Sequence, residues 1–75
     1  MEEKVLEILK SVLELGQVEK TISSSNCENW DSMAQLNISV ELEAEFDVSL
    51  EPEEIAAMAS YEDIVRILKE KGVTA

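Results

Sequence analysis

The chain is short and strongly acidic: its 75 residues include 17 aspartates and glutamates but only 6 lysines and arginines, for a net charge of −11. This length predicts one domain, residues 1–75, with a small core and little room for a deep catalytic cleft. The negative charge argues against nucleic acid or anionic membrane surfaces as ligands, because both require a basic face. Protein partners are therefore expected to present basic patches.

The composition is that of a folded protein, with 45% hydrophobic and 31% charged residues. No apolar run approaches the ~20 residues of a membrane span, and Met1, Glu2 and Glu3 do not resemble the start of a secretory signal. We therefore expect a cytoplasmic protein without stable membrane insertion. The one cysteine, Cys27, cannot form an internal disulfide, which suits a reducing compartment, and we expect a monomer.

The first predicted element is an amphipathic helix from about Glu2 to Leu15. Its apolar residues recur at the i, i+3, i+4, i+7 spacing of one helical face: Val5, Ile8, Leu9, Val12 and Leu13. Gly16 follows the last apolar residue and is predicted to form a left-handed C-terminal cap.

Residues 16–30 show no helical periodicity and contain the loop signal Ser-Ser-Ser-Asn at residues 23–26. A connection of this length is uncommon in a small domain and is usually functional or disordered. We expect it to be ordered, because Val18, Ile22 and Trp30 are spaced to enter a core.

The longest amphipathic run, from Ser32 to Phe46, predicts the second helix. Ile38, Leu42 and Phe46 lie at steps of four and predict its buried stripe. An offset apolar row consists of Met33, Leu36 and Val40. Of these, Leu36 is expected in the core, and Met33 and Val40 are expected to contact partners.

A third, short helix is predicted from about Pro52 to Ala59, with Glu53 and Glu54 in its first turn and Ile55 and Met58 facing inward. The fourth helix is predicted to begin at a capping box of Ser60 and Asp63 and to end at Gly72. Its apolar face consists of Ile64, Ile67 and Leu68. The pattern predicts an all-α fold, a small antiparallel four-helix bundle with three longer helices, one short third helix and a long first loop.

Several kinds of catalytic chemistry are excluded by residue type. The chain has no histidine, which removes Ser-His-Asp and Cys-His nucleophilic catalysis and most zinc sites. Gly16 and Gly72 are the only glycines, so no Gly-rich phosphate loop is present. Residues 47–54 lack the ligand pattern of a calcium loop. We therefore expect a protein that is not an enzyme and has no dedicated metal site.

Asp31, Ser32 and Met33 mark the point where the polar loop meets the second helix. Helix N-termini have unpaired N–H groups and partial positive charge, so a phosphodiester on Ser32 would meet donors and a favourable dipole. The structural alternative is that Ser32 is only an N-cap, with Gln35 three residues on completing a capping box. The tripeptide alone does not decide between these interpretations.

The same tripeptide resembles the prosthetic-group attachment motif of the acyl carrier protein family, in which Asp-Ser-Leu or Asp-Ser-Met opens the second helix. The resemblance continues through Glu-Ala-Glu-Phe-Asp-Val at residues 43–48 to Ile64, and covers nearly the whole chain. It implies that Ser32 carries 4'-phosphopantetheine, added from coenzyme A by a phosphopantetheinyl transferase whose Mg²⁺ Asp31 approaches. The structural alternative for Asp31, helix capping, can hold as well. Acyl or aminoacyl groups would then be loaded by a ligase and passed as thioesters between synthases or transferases with basic patches.

The resemblance also implies that partners recognise the second helix. Met33 and Val40 would supply apolar contacts, and Glu41, Glu43 and Glu45 would pair with basic residues. For each glutamate the alternative is an ordinary solvated face. A further set of apolar residues either encloses a short acyl chain or is plain core: Leu42, Phe46, Ile55, Met58 and Ile64.

Some residues depart from the pattern of fatty acid synthesis. Met33 stands where leucine is usual, as in D-alanyl carriers, and Ala34 and Asn37 are neutral at places that are often acidic. The cargo pathway therefore stays open between fatty acid, polyketide and other specialised biosynthesis. Two functions of other classes also stay open: an unmodified acidic adaptor that only binds proteins, with Ser32 as a cap, and a divalent-ion buffer.

Overall fold

The computed structural model describes residues 2–73, which form four helices and no strand. The helices are α1 (Glu2–Val12), α2 (Ser32–Phe46), α3 (Pro52–Ala57) and α4 (Tyr61–Glu70). One isolated antiparallel bridge within this part of the chain joins Ser23 to Ser60. None of these helices is long and apolar enough to cross a membrane. The predicted all-α bundle, with a short third helix and a long first loop, is confirmed.

The buried side chains of the described residues form one hydrophobic cluster between the helices. α1 packs against both α2 and α4, and α3 packs against α2. The most completely buried side chains come from α1 and the turn after it, from α2, from the residue after α3 and from α4: Val5, Leu9, Leu13, Ile38, Leu42, Met58, Ile64 and Leu68. Phe46 and Ile55 are only half-buried at the edge of this core.

The first loop is ordered and contributes to the core, as predicted. Ile22 and Trp30 are buried, and Val18 packs against the core from a half-buried position. Near the end of the loop, the side-chain amide of Asn29 donates a hydrogen bond of 2.8 Å to the carbonyl of Leu13, just after α1. The end of the loop is thereby held next to the end of α1.

Backbone hydrogen bonds tie the middle of the loop to the connection between α3 and α4. The Ser24 N–H donates to the Ala59 carbonyl at 2.8 Å, and the Tyr61 N–H donates to the Ile22 carbonyl at 3.1 Å. These bonds require extended backbone near Ala59. This explains why α3 ends at Ala57, two residues earlier than predicted.

The predicted end of α1 is wrong. The helix ends at Val12, and the left-handed residue is Glu14, with φ of 55°, whereas Gly16 has no such conformation. The Leu15 N–H still donates to the Lys10 carbonyl at 3.0 Å, which closes the turn. The apolar periodicity continues past the helix because Leu13 and Leu15 pack against the core from this turn.

The predicted cap of α4 is confirmed, with one change of partner. The Ser60 hydroxyl accepts a hydrogen bond from the Asp63 N–H at 3.1 Å. The Asp63 carboxylate reaches the N–H of Ala59, at 3.3 Å, rather than that of Ser60. At the other end, Gly72 has φ of 90°, a left-handed conformation that glycine adopts without strain.

Polar contacts hold α3 in place, because none of its own residues is fully buried. The Glu54 carboxylate accepts a hydrogen bond from the Glu51 N–H at 2.8 Å and forms an ion pair with Lys71 at 2.8 Å. The Glu51 N–H, and then the Lys71 ammonium, hold the pKa of Glu54 below its ordinary value. From α2, the Gln35 side-chain amide donates to the Ile55 carbonyl.

The expectation that Leu36 belongs to the core is wrong, since its side chain is 54% exposed. With 3.6 residues per turn, Leu36 lies about 200° around α2 from both Ala34 and Ile38, which are buried. Leu36 instead joins Met33 and Val40 on the exposed side, at the i, i+3, i+7 spacing of one strip.

Two leucines of α2 provide a test of this packing. Leu42→Ala is expected to lower the free energy of unfolding by about 2–5 kcal/mol, because it removes buried methyl groups and leaves a cavity. Leu36→Ala, the same chemical change on the same helix, is expected to shift it by less than about 0.5 kcal/mol. Urea denaturation of both variants measures the difference, and equal losses would contradict the exposed position of Leu36.

The contact between Glu54 and its partners predicts a pH-dependent contribution to stability. A carboxylate whose pKa is lowered by folding stabilises the native state above its ordinary pKa, and this stabilisation is lost as pH falls through the native value. Glu54→Gln is therefore expected to lower the melting temperature at pH 7, and the difference from the parent should shrink as pH falls below the ordinary value of 4.5.

Glu53→Gln is the matched control, because it makes the same change in net charge at an exposed position of the same helical turn. It should leave the melting temperature at pH 7 unchanged or slightly raised, since it relieves self-repulsion in an acidic chain. If both variants melted alike at pH 7, Glu54 would have no anchoring role.

Candidate functional site

Ser32 is the first residue of α2, and its side chain is exposed. The residue before it, Asp31, is the N-cap, with extended backbone at φ −102° and ψ −172°. Its Oδ1 accepts a hydrogen bond of 2.9 Å from the Ala34 N–H, and its carbonyl accepts one of 2.9 Å from the Gln35 N–H. The exposed serine therefore stands on a rigid and capped helix start.

The alternative in which Ser32 caps the helix is wrong, because Asp31 is the cap. Gln35 does not complete a capping box either, since its side chain donates to Ile55 on α3. The Ser32 hydroxyl is consequently not committed to the helix terminus. Because Asp31 satisfies only the Ala34 N–H, the N–H groups of Ser32 and Met33 have no intrahelical acceptor and keep the partial positive charge of a helix start.

A cleft of about 810 Å³ adjoins Ser32 and separates the first turns of α2 from α3. Its walls combine apolar surface from both helices with polar groups near the serine. The lining residues are Ser24, Trp30, Asp31, Ser32, Gln35, Leu36, Pro52, Ile55 and Ala56. The cleft is thus large enough for a flexible chain that begins at the serine.

Trp30 forms part of this cleft although its side chain is only 4% exposed. Its indole Nε1 is buried and has no hydrogen-bond partner among the described residues. Buried polar groups are nearly always paired, so an indole N–H in this state is an exception. From the sequence, Trp30 was expected only in the core, and its place directly before Asp31 and Ser32 was the available signal that it lies at the candidate site.

The apolar strip of α2, defined as Met33, Leu36 and Val40, is strongly exposed. Its members are 68%, 54% and 61% exposed, respectively. Met33 and Val40 were expected on this surface, whereas Leu36 was not. The strip begins at Met33, one residue after Ser32.

The three glutamates predicted to face partners occupy different environments. Glu41 is exposed. Glu43 is half-buried, and its Oε2 accepts a hydrogen bond of 2.8 Å from the Leu50 N–H, which holds the turn after α2. Glu45 forms a surface ion pair with Lys4 of α1 at 3.6 Å. Two of the three carboxylates therefore already have partners within the chain.

The part of the chain that the structure describes contains no group of three or more His, Cys, Asp or Glu side chains able to hold a metal ion. Cys27 lies half-buried in the first loop as a free thiol.

Comparison with known proteins connects this geometry to a family. No family model matches the chain. The sequence is 32% identical over 71 residues to the acyl carrier protein of Petrotoga mobilis (strain DSM 10674 / SJ95), and the alignment covers 92% of this chain and 84% of that protein. Similarity over nearly the full length of both proteins, together with an all-helical bundle, shows that the chain belongs to the acyl carrier protein family.

Proposed function

We propose that Ser32 is the attachment point of a 4'-phosphopantetheine arm and that the protein carries acyl or aminoacyl groups on this arm as thioesters. The observation that supports this most directly is the division of roles at the start of α2. Asp31 caps the helix, and the neighbouring Ser32 hydroxyl stays exposed and uncommitted. A serine needed only for structure would be expected to make the cap itself.

The residues around Ser32 fit such an arm in three respects. The unpaired N–H groups and dipole of α2 favour the negative charge of a phosphodiester at this position. The cleft between α2 and α3 starts at Ser32 and has apolar walls. Trp30 lines the same cleft, and its buried indole N–H lacks an acceptor among the described residues. When bound, the arm would supply the terminal thiol that forms thioesters.

In the attachment reaction, the Ser32 hydroxyl would attack the phosphopantetheine phosphorus of coenzyme A. A phosphodiester would form, adenosine 3',5'-bisphosphate would leave as the pyrophosphate bond breaks, and the hydroxyl proton would pass to a base. The proposed source of the base and the metal is a phosphopantetheinyl transferase, which would use coenzyme A as the donor of the arm. Asp31 uses one carboxylate oxygen for the cap. Its other oxygen is the proposed contact with the Mg²⁺ of the transferase.

The apolar strip of α2 is the proposed contact surface for the transferase, for a loading ligase and for synthases or transferases that use the cargo. Exposed apolar side chains beside negative charge suit partners with a basic patch, which a net charge of −11 would attract. Glu41 is the strongest candidate for a charged contact, because Glu43 and Glu45 have partners within the chain. The proposed cargo is an acyl or aminoacyl group of fatty acid, polyketide or other specialised biosynthesis.

Intact mass spectrometry tests the attachment. After incubation with coenzyme A, Mg²⁺ and a promiscuous phosphopantetheinyl transferase, the parent protein is expected to gain one phosphopantetheinyl group. Ser32→Ala should gain none. Ser49→Ala is the matched control, since Ser49 is an exposed serine in the turn after α2 and its loss should leave the mass gain intact.

A mass gain in Ser32→Ala would place the attachment elsewhere. No gain in a parent protein shown to be folded would instead favour the second candidate, an acidic adaptor that binds proteins through the apolar strip of α2. That candidate is supported by the exposure of Met33, Leu36 and Val40, which does not depend on any modification.

The rate of the same reaction tests the partner surface. Glu41→Gln is expected to lower kcat/KM for arm transfer roughly 1.5- to 5-fold at low salt, as expected for one exposed ion pair. The loss should fade as salt rises. Leu36→Ala should cause a loss that salt does not remove, because its contact is apolar.

Glu3→Gln is the control for net charge, since Glu3 is an exposed glutamate on α1. It should leave kcat/KM close to that of the parent. Equal effects of Glu41→Gln and Glu3→Gln would mean that overall charge, rather than a contact on α2, governs the encounter.

A further inference from the structure

Trp30 combines deep burial with an unpaired donor beside the attachment serine. Its side chain is 4% exposed, and its Nε1 has no hydrogen-bond partner in residues 2–73. The other buried polar atom without a partner in this range is the Tyr61 hydroxyl. Tyr61 lines a different cavity, with Glu2 and Lys20, so the two unpaired groups are in separate places.

Tryptophan with an unpaired indole N–H is an unfavourable residue at a position that serves only to fill the core. Leaving a buried donor without an acceptor costs about 1–3 kcal/mol. A phenylalanine, leucine or methionine would fill apolar space without that cost. We therefore expect the Trp30 N–H to have an acceptor in some state of the protein other than the unmodified one.

The cleft beside Ser32 is the open space next to Trp30 from which we infer that such an acceptor approaches. Trp30 lines it together with Asp31 and Ser32, the two residues that follow it in the chain. Gln35 lines it as well, but its side-chain amide already donates to the Ile55 carbonyl. The remaining walls include Leu36, Pro52 and Ile55, which offer apolar contact and no side-chain donor.

We propose that the indole N–H of Trp30 donates a hydrogen bond to an amide carbonyl of the phosphopantetheine arm and so holds the arm in the cleft between α2 and α3. This proposal rests on the proposed attachment of the arm to Ser32. The arm contains two amides separated by methylene groups, so one carbonyl can meet the donor while the methylenes contact the apolar walls. Trp30 is then a positioning residue for the resting arm.

Nuclear magnetic resonance gives a direct test, because the chain contains a single tryptophan and therefore a single indole N–H signal. On conversion of ¹⁵N-labelled protein to the phosphopantetheinylated form, the indole proton is expected to move downfield, as hydrogen bonding requires. It should also show a nuclear Overhauser effect to methylene protons of the arm. Ser32→Ala, treated in the same way, should show neither change.

Two variants separate the donor from the general effect of a core substitution. Trp30→Phe retains an aromatic ring but lacks the N–H, so the amide signals of its arm are expected to shift toward those of free phosphopantetheine. Tyr61→Phe removes the other buried unpaired group, away from the cleft, and should leave the arm signals as they are in the parent. If Trp30→Phe does not fold, the indole shift and the Overhauser effect, compared between the unmodified and the modified parent protein, decide whether Trp30 contacts the arm.

The outcomes distinguish this inference from the proposed function. If mass spectrometry shows the arm on Ser32 but the indole signal stays at its unmodified position without an Overhauser effect, the role of Trp30 is overturned and the carrier function stands. If no arm is attached to the folded parent, both are overturned. A downfield shift with the Overhauser effect, lost in Ser32→Ala, supports the proposal.

Discussion

Backbone hydrogen bonds between the first loop and the segment before α4 are the constraint on which the candidate site depends. They join Ser24 to Ala59 and Tyr61 to Ile22, and thereby fix the middle of a connection that has no helix of its own. With the loop held there, Ile22 and Trp30 are buried, and the residues before α2 have a fixed position. The same bonds hold the segment that follows α3. They therefore influence the position of both walls of the cleft beside Ser32, the start of α2 and α3.

The cleft has one firm wall and one that is held more weakly. α2 is anchored by buried Ile38 and Leu42, whereas α3 has no fully buried residue and relies on the polar contacts of Gln35 and Glu54. Segments with few buried apolar contacts open at low free-energy cost. A change in the position of α3 would therefore alter the cleft without disrupting the core, which would suit the holding and release of the proposed arm.

Some of the carboxylates that give the chain its large negative charge also stabilise the fold. Several carboxylates of the described residues accept hydrogen bonds from backbone N–H groups at turns or helix starts, among them Asp31, Glu43, Glu54 and Asp63. Hydrogen bonds to ionised acceptors are stronger than neutral ones, so these acidic residues stabilise the turns and helix starts. The same residues destabilise the compact state through the mutual repulsion of their negative charges. Glutamates without such a role, such as Glu41, are those best placed to attract a basic partner.

By itself, the sequence determined the four helices, the ordered loop and the position of Ser32 at the start of α2, because apolar periodicity and capping residues are local signals. It did not determine the end of α1 or the exposure of Leu36, since apolar spacing does not say which neighbour each face will meet. The internal role of Glu43 was also hidden, because it requires the turn at Leu50 to fold back on α2. Trp30 and Gln35 are near Ser32 in the sequence, but only the tertiary structure placed Ile55 of α3 beside them, since α3 is distant in the chain and its position depends on where the long loop is tied.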